Sequence, residues 1–268
     1  MVSKKALAIG VIVTVVVVVV VVVPSVLLTQ KAEFRETFMK KCLEFPKEKH
    51  ICERAWVLFE QAYVGKDPKT VTPDNYKELF DEFPFTYPCE KTMLWSKTSD
   101  LVKLVGKECY FPIGRTLLGH VLDGLFWCGK ENSPETFTDF SECTKPKINP
   151  YESFWTMAAI RYAQHACKEV KALLNGDVED PYDTKSFLAE SEVPYLDHTK
   201  VTKLDVILAV KTKGRPGCND KSLKDLKSEL RKKGIGYDCK EVFRAQLEKC
   251  KHEKSADEVC KCQELLKM

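Results

Sequence analysis

Most of the short motifs that announce an enzyme are missing from this chain of 268 residues. It has no Gly-x-Gly-x-x-Gly turn for a dinucleotide, no Walker lysine loop, no His-Glu-x-x-His pair and no Gly-x-Ser-x-Gly elbow. No Asn-x-Ser/Thr sequon occurs, because Pro134 follows Asn132-Ser133, so asparagine glycosylation is not expected. Basic residues exceed acidic ones by only 42 to 39, and the excess is spread along the chain. That sets nucleic acid aside as a partner. The five histidines (50, 120, 165, 198 and 252) show no metal-ligand spacing, and internal repeats and Gly/Ser linkers are absent.

Charge is missing altogether from residues 6–30. Ala6–Val23 is an eighteen-residue run, with unbroken valine from Val15 to Val23. At 1.5 Å per residue it spans about 27 Å as a helix, and Pro24–Leu28 extend it, matching a bilayer core. The run is too long for the apolar region of a signal peptide, and no small-x-small cleavage site follows it. A transmembrane helix at 6–28 is therefore expected. Lys4 and Lys5 mark residues 1–5 as a cytosolic stub and put residues 29–268 outside, as a type II single-pass protein of the plasma membrane.

Cysteine usage supports that compartment independently. All twelve cysteines lie at Cys42 or beyond, and an even count in an exported domain reads as a disulfide framework. Cys250-x-His252 with Cys260-x-Cys262 is the nearest thing to a metal cluster, and in an oxidising compartment it reads as disulfide chemistry rather than zinc. No metal site is expected.

Periodicity predicts helices at about 32–44, 49–64, 75–81, 97–107, 115–128, 151–171 and 221–233, the last capped by Ser222 or Asn219 and stopped by Gly234. Strands are expected at Thr92–Trp95, Lys171–Leu174, Val201–Val210 and Ile235–Cys239. Helices dominate the first half and alternate with strands in the second. An α+β fold follows, with a helical part beside a small α/β part whose sheet is at least partly parallel.

Four stretches carry candidate chemistry. Leu94-Trp95-Ser96-Lys97 sets an indole beside a hydroxyl and a cation. Thr116–Gly129 reads as a helix whose apolar face carries one acid, Asp123. Ser153-Phe-Trp155-Thr156 opens another long helix. Phe187-Leu-Ala-Glu-Ser-Glu-Val193 reads as extended, with Glu190 and Glu192 on one side of it. Singly, each has a plain structural reading: Trp127 beside Cys128 packs a disulfide in the core, and isolated acids are mostly solvated.

Together these stretches resemble the ADP-ribosyl cyclase/cyclic ADP-ribose hydrolase family, membrane-anchored NAD glycohydrolases of lymphocyte surfaces and their invertebrate relatives. The resemblance rests on Met93-Leu-Trp-Ser96, on Thr116-Leu-Leu-Gly with Asp123 and Trp127-Cys-Gly129, and on Ser153-Phe-Trp155. It continues through Leu174-Asn-Gly176, Glu192-Val193 and the cysteine ladder to Cys260, covering roughly residues 35–262. It implies a two-lobed ectodomain with the site in the cleft between lobes. The helical lobe would be about 29–88 and 112–167. The α/β lobe, a small parallel sheet flanked by helices, would be about 89–111 and 168–268.

The resemblance further implies Glu192 as the catalytic acid, with Glu190 ranked well below it. Trp95 and Trp155 would be aromatic walls, Asp123 would lie near the nicotinamide, and Ser96, Lys97, Ser186 and Phe187 near the phosphates. NAD would be the substrate, with no cofactor. Disulfides are implied at Cys42–Cys52, Cys89–Cys167, Cys128–Cys143, Cys218–Cys239 and Cys250–Cys260. Cys109 and Cys262 are left over, open to staying free, to pairing between two copies in a homodimer or, for Cys262, to competing with Cys260.

These residue types suit the chemistry. Nicotinamide on NAD is already a cationic leaving group, so cleavage needs stabilisation of a ribosyl cation by a buried carboxylate rather than a general acid. Two indoles clamp a planar cation, contributing about 0.5–2 kcal/mol each.

Departures from the family pattern bear on the product. Where the family has Thr-Leu-Glu-Asp-Thr, this chain has Pro112-Ile-Gly-Arg-Thr116, so Gly114 replaces the acid held to steer hydrolysis against cyclisation. Lys97 replaces an arginine and loses its bidentate fork, and Ala159 replaces a serine. A second reading, a receptor or adhesion ectodomain with little catalysis, takes its motivation from Gly114 and Ala159. A third is a disulfide-bonded domain with no ligand at all.

Overall fold

The computed structural model describes residues 23–45, 48–104, 110–133, 143, 148–212, 217–249 and 266. The expected span at 6–28 therefore lies outside the described residues up to position 22. Helix α1, Val23–Leu43, begins within its last apolar residues. Among the described residues no helix is long and apolar enough to cross a membrane.

The chain divides into two compact units, one formed by residues up to Leu79 with Val121–Phe154, the other by Phe80–His120 with the residues from Trp155 onward. Each takes two stretches of chain.

The first unit is helical and aromatic. In α2, Lys49–Tyr63, the residues Cys52, Ala55, Trp56, Phe59, Ala62 and Tyr63 recur every three or four positions and are all buried. Phe59 meets Trp127 edge-on at 5.0 Å, and Trp127 meets Phe154 at 5.5 Å. The indole Nε1 of Trp127 donates to Tyr76 Oη at 3.0 Å, and that hydroxyl donates to Pro150 O at 2.9 Å. Trp127 is fully buried next to the Cys128–Cys143 bridge, as its sequence neighbour implied. Gly129 is required here: its φ is 73°, and a Cβ would meet Tyr63 Cδ2 at 2.9 Å.

The second unit holds four strands, β1 Met93–Ser96, β2 Lys168–Asn175, β3 Val201–Val210 and β4 Gly236–Phe243, in the order β1-β2-β3-β4. Every pairing is parallel, with Trp95 opposite Leu173, Leu173 opposite Ile207 and Ala209 opposite Val242. β3 runs buried from Leu204 to Val210, as a strand covered on both faces must. One face carries Leu94, Ala172, Leu174, Val206 and Leu208. It packs with Tyr162 and Ala163 on the long helix opened by Pro150 and with Leu223, Leu226 and Leu230 of the helix after β3. The other carries Met93, Leu173, Ile207, Ala209 and Val242 under Leu101, Val102, Leu247 and Leu266.

Among the described residues the further α-helices, in chain order, are α3 Lys77–Glu82, α4 Ser99–Val102, α5 Leu117–Leu122, α6 Pro150–His165, α7 Lys221–Lys232 and α8 Arg244–Lys249. The α+β reading and the parallel sheet hold. Several predicted bounds do not. α5 stops at Leu122 rather than 128, because Asp123 and Gly124 turn the chain out, Gly124 with φ 74°. α4 is a single turn instead of 97–107. α6 ends at His165, since Cys167 is tied to Cys89 and Lys168, the first residue of β2, adopts φ 58°. Asp220, not Ser222 or Asn219, caps α7 by accepting Ser222 N–H at 2.8 Å. Four implied disulfides are present: Cys42–Cys52, Cys89–Cys167, Cys128–Cys143 and Cys218–Cys239. Cys250–Cys260 and the leftover Cys109 and Cys262 lie outside the described residues.

Candidate active site

In parallel α/β sheets the carboxyl ends of the strands open onto loops, and those loops hold ligands. β1 ends in Trp95 and Ser96. Trp95 is half-buried and leans on the cluster of Met93, Leu101, Leu173 and Ile207, whereas Ser96 is buried and alternates to the other face. Lys97 follows with φ 57°, a left-handed conformation that costs a non-glycine residue about 1 kcal/mol. Its carbonyl accepts Asn175 Nδ2 at 3.2 Å at the end of β2, and its Nζ lies 2.9 Å from Asp183 Oδ2.

Asp183 organises the next loop. Its carboxylate accepts Lys185 N–H at 3.0 Å and its carbonyl accepts Ser186 Oγ at 2.6 Å. Ser186 Oγ in turn accepts Ala189 N–H at 3.3 Å, and Phe187 stands exposed beside it. The Lys185 N–H and then Lys97 hold the Asp183 carboxyl below the usual carboxylate range.

The segment after Ser186 is helical, not extended: Leu188–Glu192 is one turn of π-helix, a form concentrated at functional sites. The two carboxylates therefore do not share a side. Leu188, Val193 and Leu196 anchor the turn in the core beneath it. Glu192 is buried, 5% exposed, while Glu190 faces solvent. Among the described residues Glu192 Oε2 has no hydrogen-bond partner. Burial pushes its carboxyl up to about 8. Such a group is costly to fold and is poised to accept positive charge.

Two buried phenols, Tyr87 and Tyr162, lie within electrostatic reach of Glu192, which raises both after the dominant effect of burial. Tyr162 sits on α6 seven residues after Trp155, with Ala159 between them. These positions share one face of the helix, and Trp155 is half-buried on it. The second unit thus carries Trp95, Ser96, Lys97, Trp155, Ser186, Phe187 and Glu192. Asp123 belongs to the helical unit, exposed in the turn after α5 rather than on a helix face, its carbonyl accepting Lys41 Nζ.

Asp183, Tyr87 and Tyr162 were not picked out from the sequence. The available signal was the seven-residue spacing of Tyr162 from Trp155. Among the described residues Cys89, Glu90 and Cys167 group closely enough for a metal, but the two sulfurs are bonded to each other. The Cys250/His252/Cys260/Cys262 cluster lies outside the described residues.

The second unit is thus a parallel α/β unit with a buried carboxylate, Glu192, that has an unpartnered oxygen and stands in a turn packed against β1. The ADP-ribosyl cyclase family model matches residues 31–260. A rat ADP-ribosyl cyclase/cyclic ADP-ribose hydrolase 1 is 31% identical over 204 residues, 72% of this chain and 66% of its own length. The Aplysia kurodai ADP-ribosyl cyclase/cyclic ADP-ribose hydrolase is 29% identical, covering 81% and 83%. Among solved structures, porcine CD38 with a covalent intermediate, ribo-F-ribose-5′-phosphate, superposes with a TM-score of 0.70 at 29% identity over 79% of this chain and 96% of that one. Aplysia cyclase with substrate NGD and product cGDPR gives 0.72 at 28% identity, covering 81% and 92%. This chain belongs to the ADP-ribosyl cyclase family.

Proposed function

We propose that Glu192 is the carboxylate around which this protein splits the nicotinamide–ribose bond of NAD. That the chain is an NAD-converting enzyme, an ADP-ribosyl cyclase/cyclic ADP-ribose hydrolase, follows from its family. NAD is the substrate and is consumed, so the reaction calls for no cofactor. The receptor reading is not favoured, since a silent site has no physical need to keep an acid buried at this cost.

The C1′–N bond breaks with its electron pair passing to the pyridinium nitrogen, which leaves as neutral nicotinamide. Positive charge then develops on the ribose, and the Glu192 carboxylate stabilises it by charge in a dry setting. The porcine relative was solved with a covalent intermediate, and an unpartnered carboxylate oxygen is suited to close that bond here as well. Trp95 and Trp155 hold the pyridinium by stacking and cation–π attraction. Ser96, Lys97, Ser186 and Phe187 serve the pyrophosphate end. Water at C1′, losing a proton, gives ADP-ribose. The adenine of the same molecule gives cyclic ADP-ribose, and water exclusion decides between them.

The observation that carries this reading is the burial of Glu192 without a hydrogen-bond partner on Oε2. Purified protein incubated with NAD, disulfides kept oxidised, should release nicotinamide, and Glu192→Gln should not. Release by the Gln variant at the parent rate would remove Glu192 from the mechanism.

We infer in addition that the catalytic domain is extracellular on a type II anchor. The uncharged run over residues 6–30 and the four disulfides support it. Protease added to intact cells should remove the C-terminal domain, and a domain left uncut would reverse the orientation.

A further inference from the structure

The outer edge of β1 is finished by a side chain. Phe111 pairs with that edge, its N–H donating to Lys91 O at 2.8 Å, and Thr92 and Phe111 form a parallel bridge. The pairing goes no further, because Ile113, the next residue to face β1, opens a 3-10 turn that runs to Arg115. Met93, fully buried, would be left with an unpaired C=O on that side, an expensive state for a backbone acceptor.

Tyr162 Oη occupies that place. It accepts Met93 N–H at 3.1 Å, and its single proton faces Met93 O at 2.9 Å and Phe111 O. The ring is itself fully buried, packed edge-on against Phe85. Burial keeps the phenol protonated, hence a donor, throughout the working pH range.

We propose that Tyr162 is a positioning residue for the reaction: its hydroxyl stitches Met93, the first residue of β1, to Phe111 and so sets where Trp95, Ser96 and Lys97, two to four residues further on, stand. The inference rests on the enzymatic reading above and deepens it. Three observations converge on the same hydroxyl. It replaces the ladder where the turn at Ile113 ends it. It rides on the helix face that carries Trp155. It lies within electrostatic reach of Glu192. Displacing β1 at Met93 moves the groups further along it that are proposed to hold both ends of NAD.

The partition of products is the readout that separates positioning from mere stability. Water and adenine compete for one C1′, so their ratio senses geometry and does not depend on how much protein is folded. With the full chain and NAD, Tyr162→Phe should lower kcat about tenfold and change the ratio of cyclic ADP-ribose to ADP-ribose by more than about twofold. An unchanged ratio, with both products scaling with the folded fraction, overturns the proposal. Should the Phe variant not fold, 3,5-difluorotyrosine at 162 keeps ring and hydroxyl while altering donor strength. A shifted ratio there supports positioning and an unshifted one overturns it. Absence of nicotinamide release from the unmodified protein would bring down the enzymatic reading and this inference with it, whereas release with an unmoved ratio brings down this inference alone.

Discussion

Lys97 Nζ and Asp183 Oδ2, 2.9 Å apart, join the end of β1 to the loop that leads into the Glu192 turn. The lysine proposed to meet pyrophosphate is therefore already engaged by an anion, and both partners are substantially exposed. Exposed pairs are weak, so substrate displaces Asp183 at small cost. Asp183→Asn should lower KM for NAD about two- to fivefold with kcat unchanged. A higher KM in steady-state assays would show that Asp183 presents Lys97 rather than competing for it.

The carboxyl of Glu192, held at about 8 by burial, must lose its proton to stabilise a cation. Below that pH the free enzyme is mostly neutral at this position. kcat/KM should climb about tenfold per pH unit on the acid side and level off above about 8. Bound pyridinium favours the ionised form, so the corresponding limb of kcat should lie lower. A profile flat between about pH 6 and 9 would contradict this assignment.

Replacing Glu192 by Gln should cost at least about a hundredfold in turnover. It should also stabilise the protein in a defined window. The folded-state value lies above the ordinary 4.5, so the native protein holds the proton more tightly than the unfolded chain and loses stability as pH rises from about 4.5 to about 8. Glutamine does not titrate. Melting curves should therefore show the variant above its parent near pH 8 and beyond, with the gap closing towards pH 4.5.

Beneath the catalytic edge, Lys171 Nζ bonds Asp205 Oδ2 across β2 and β3, with Lys203 Nζ 3.0 Å from the other oxygen and Asp205 fully buried. Lys171→Met leaves a buried anion with one partner and should destabilise by about 2–4 kcal/mol. Adding Asp205→Leu should recover most of that in denaturant titrations, since a charge pair in a core competes poorly with apolar packing.

At Gly114 a built Cβ meets nothing within 4 Å, and φ is not positive. Gly114→Glu should leave stability within about 0.5 kcal/mol. If the family acid works here as the resemblance implies, products should shift toward ADP-ribose on chromatography. An unshifted ratio would mean that residue 114 has no hand in the outcome.

The sequence is most legible where one period acts alone. β3 matches its expected bounds, Val201–Val210, and α2 and α7 differ by a residue, because burial on both faces of a strand or one face of a helix leaves an unambiguous pattern. The Glu192 turn misleads for a physical reason: acids two residues apart copy strand alternation, and only tertiary anchoring by Leu188 and Val193 winds the segment into a π-turn. The overrun of α6 into β2 has a similar origin. Nothing local stops the helix before Lys168, and the Cys89–Cys167 bond does. Glu192, Trp95 and Trp155 were named from motif context, whereas Tyr162 was invisible because its partners are backbone atoms 69 and 51 positions away.

The sheet unit is made from Phe80–His120 and from the chain after Trp155, with the helical unit's second stretch threaded between. On the ribosome, β1 emerges as a lone apolar edge and must wait for β2, the strand that pairs with it. Closing a contact across the 78 positions from Cys89 to Cys167 is slow by chain entropy alone. The sheet of this enzyme can thus begin to assemble only once β2 has been made, and the Cys89–Cys167 bond then seals the return of the chain.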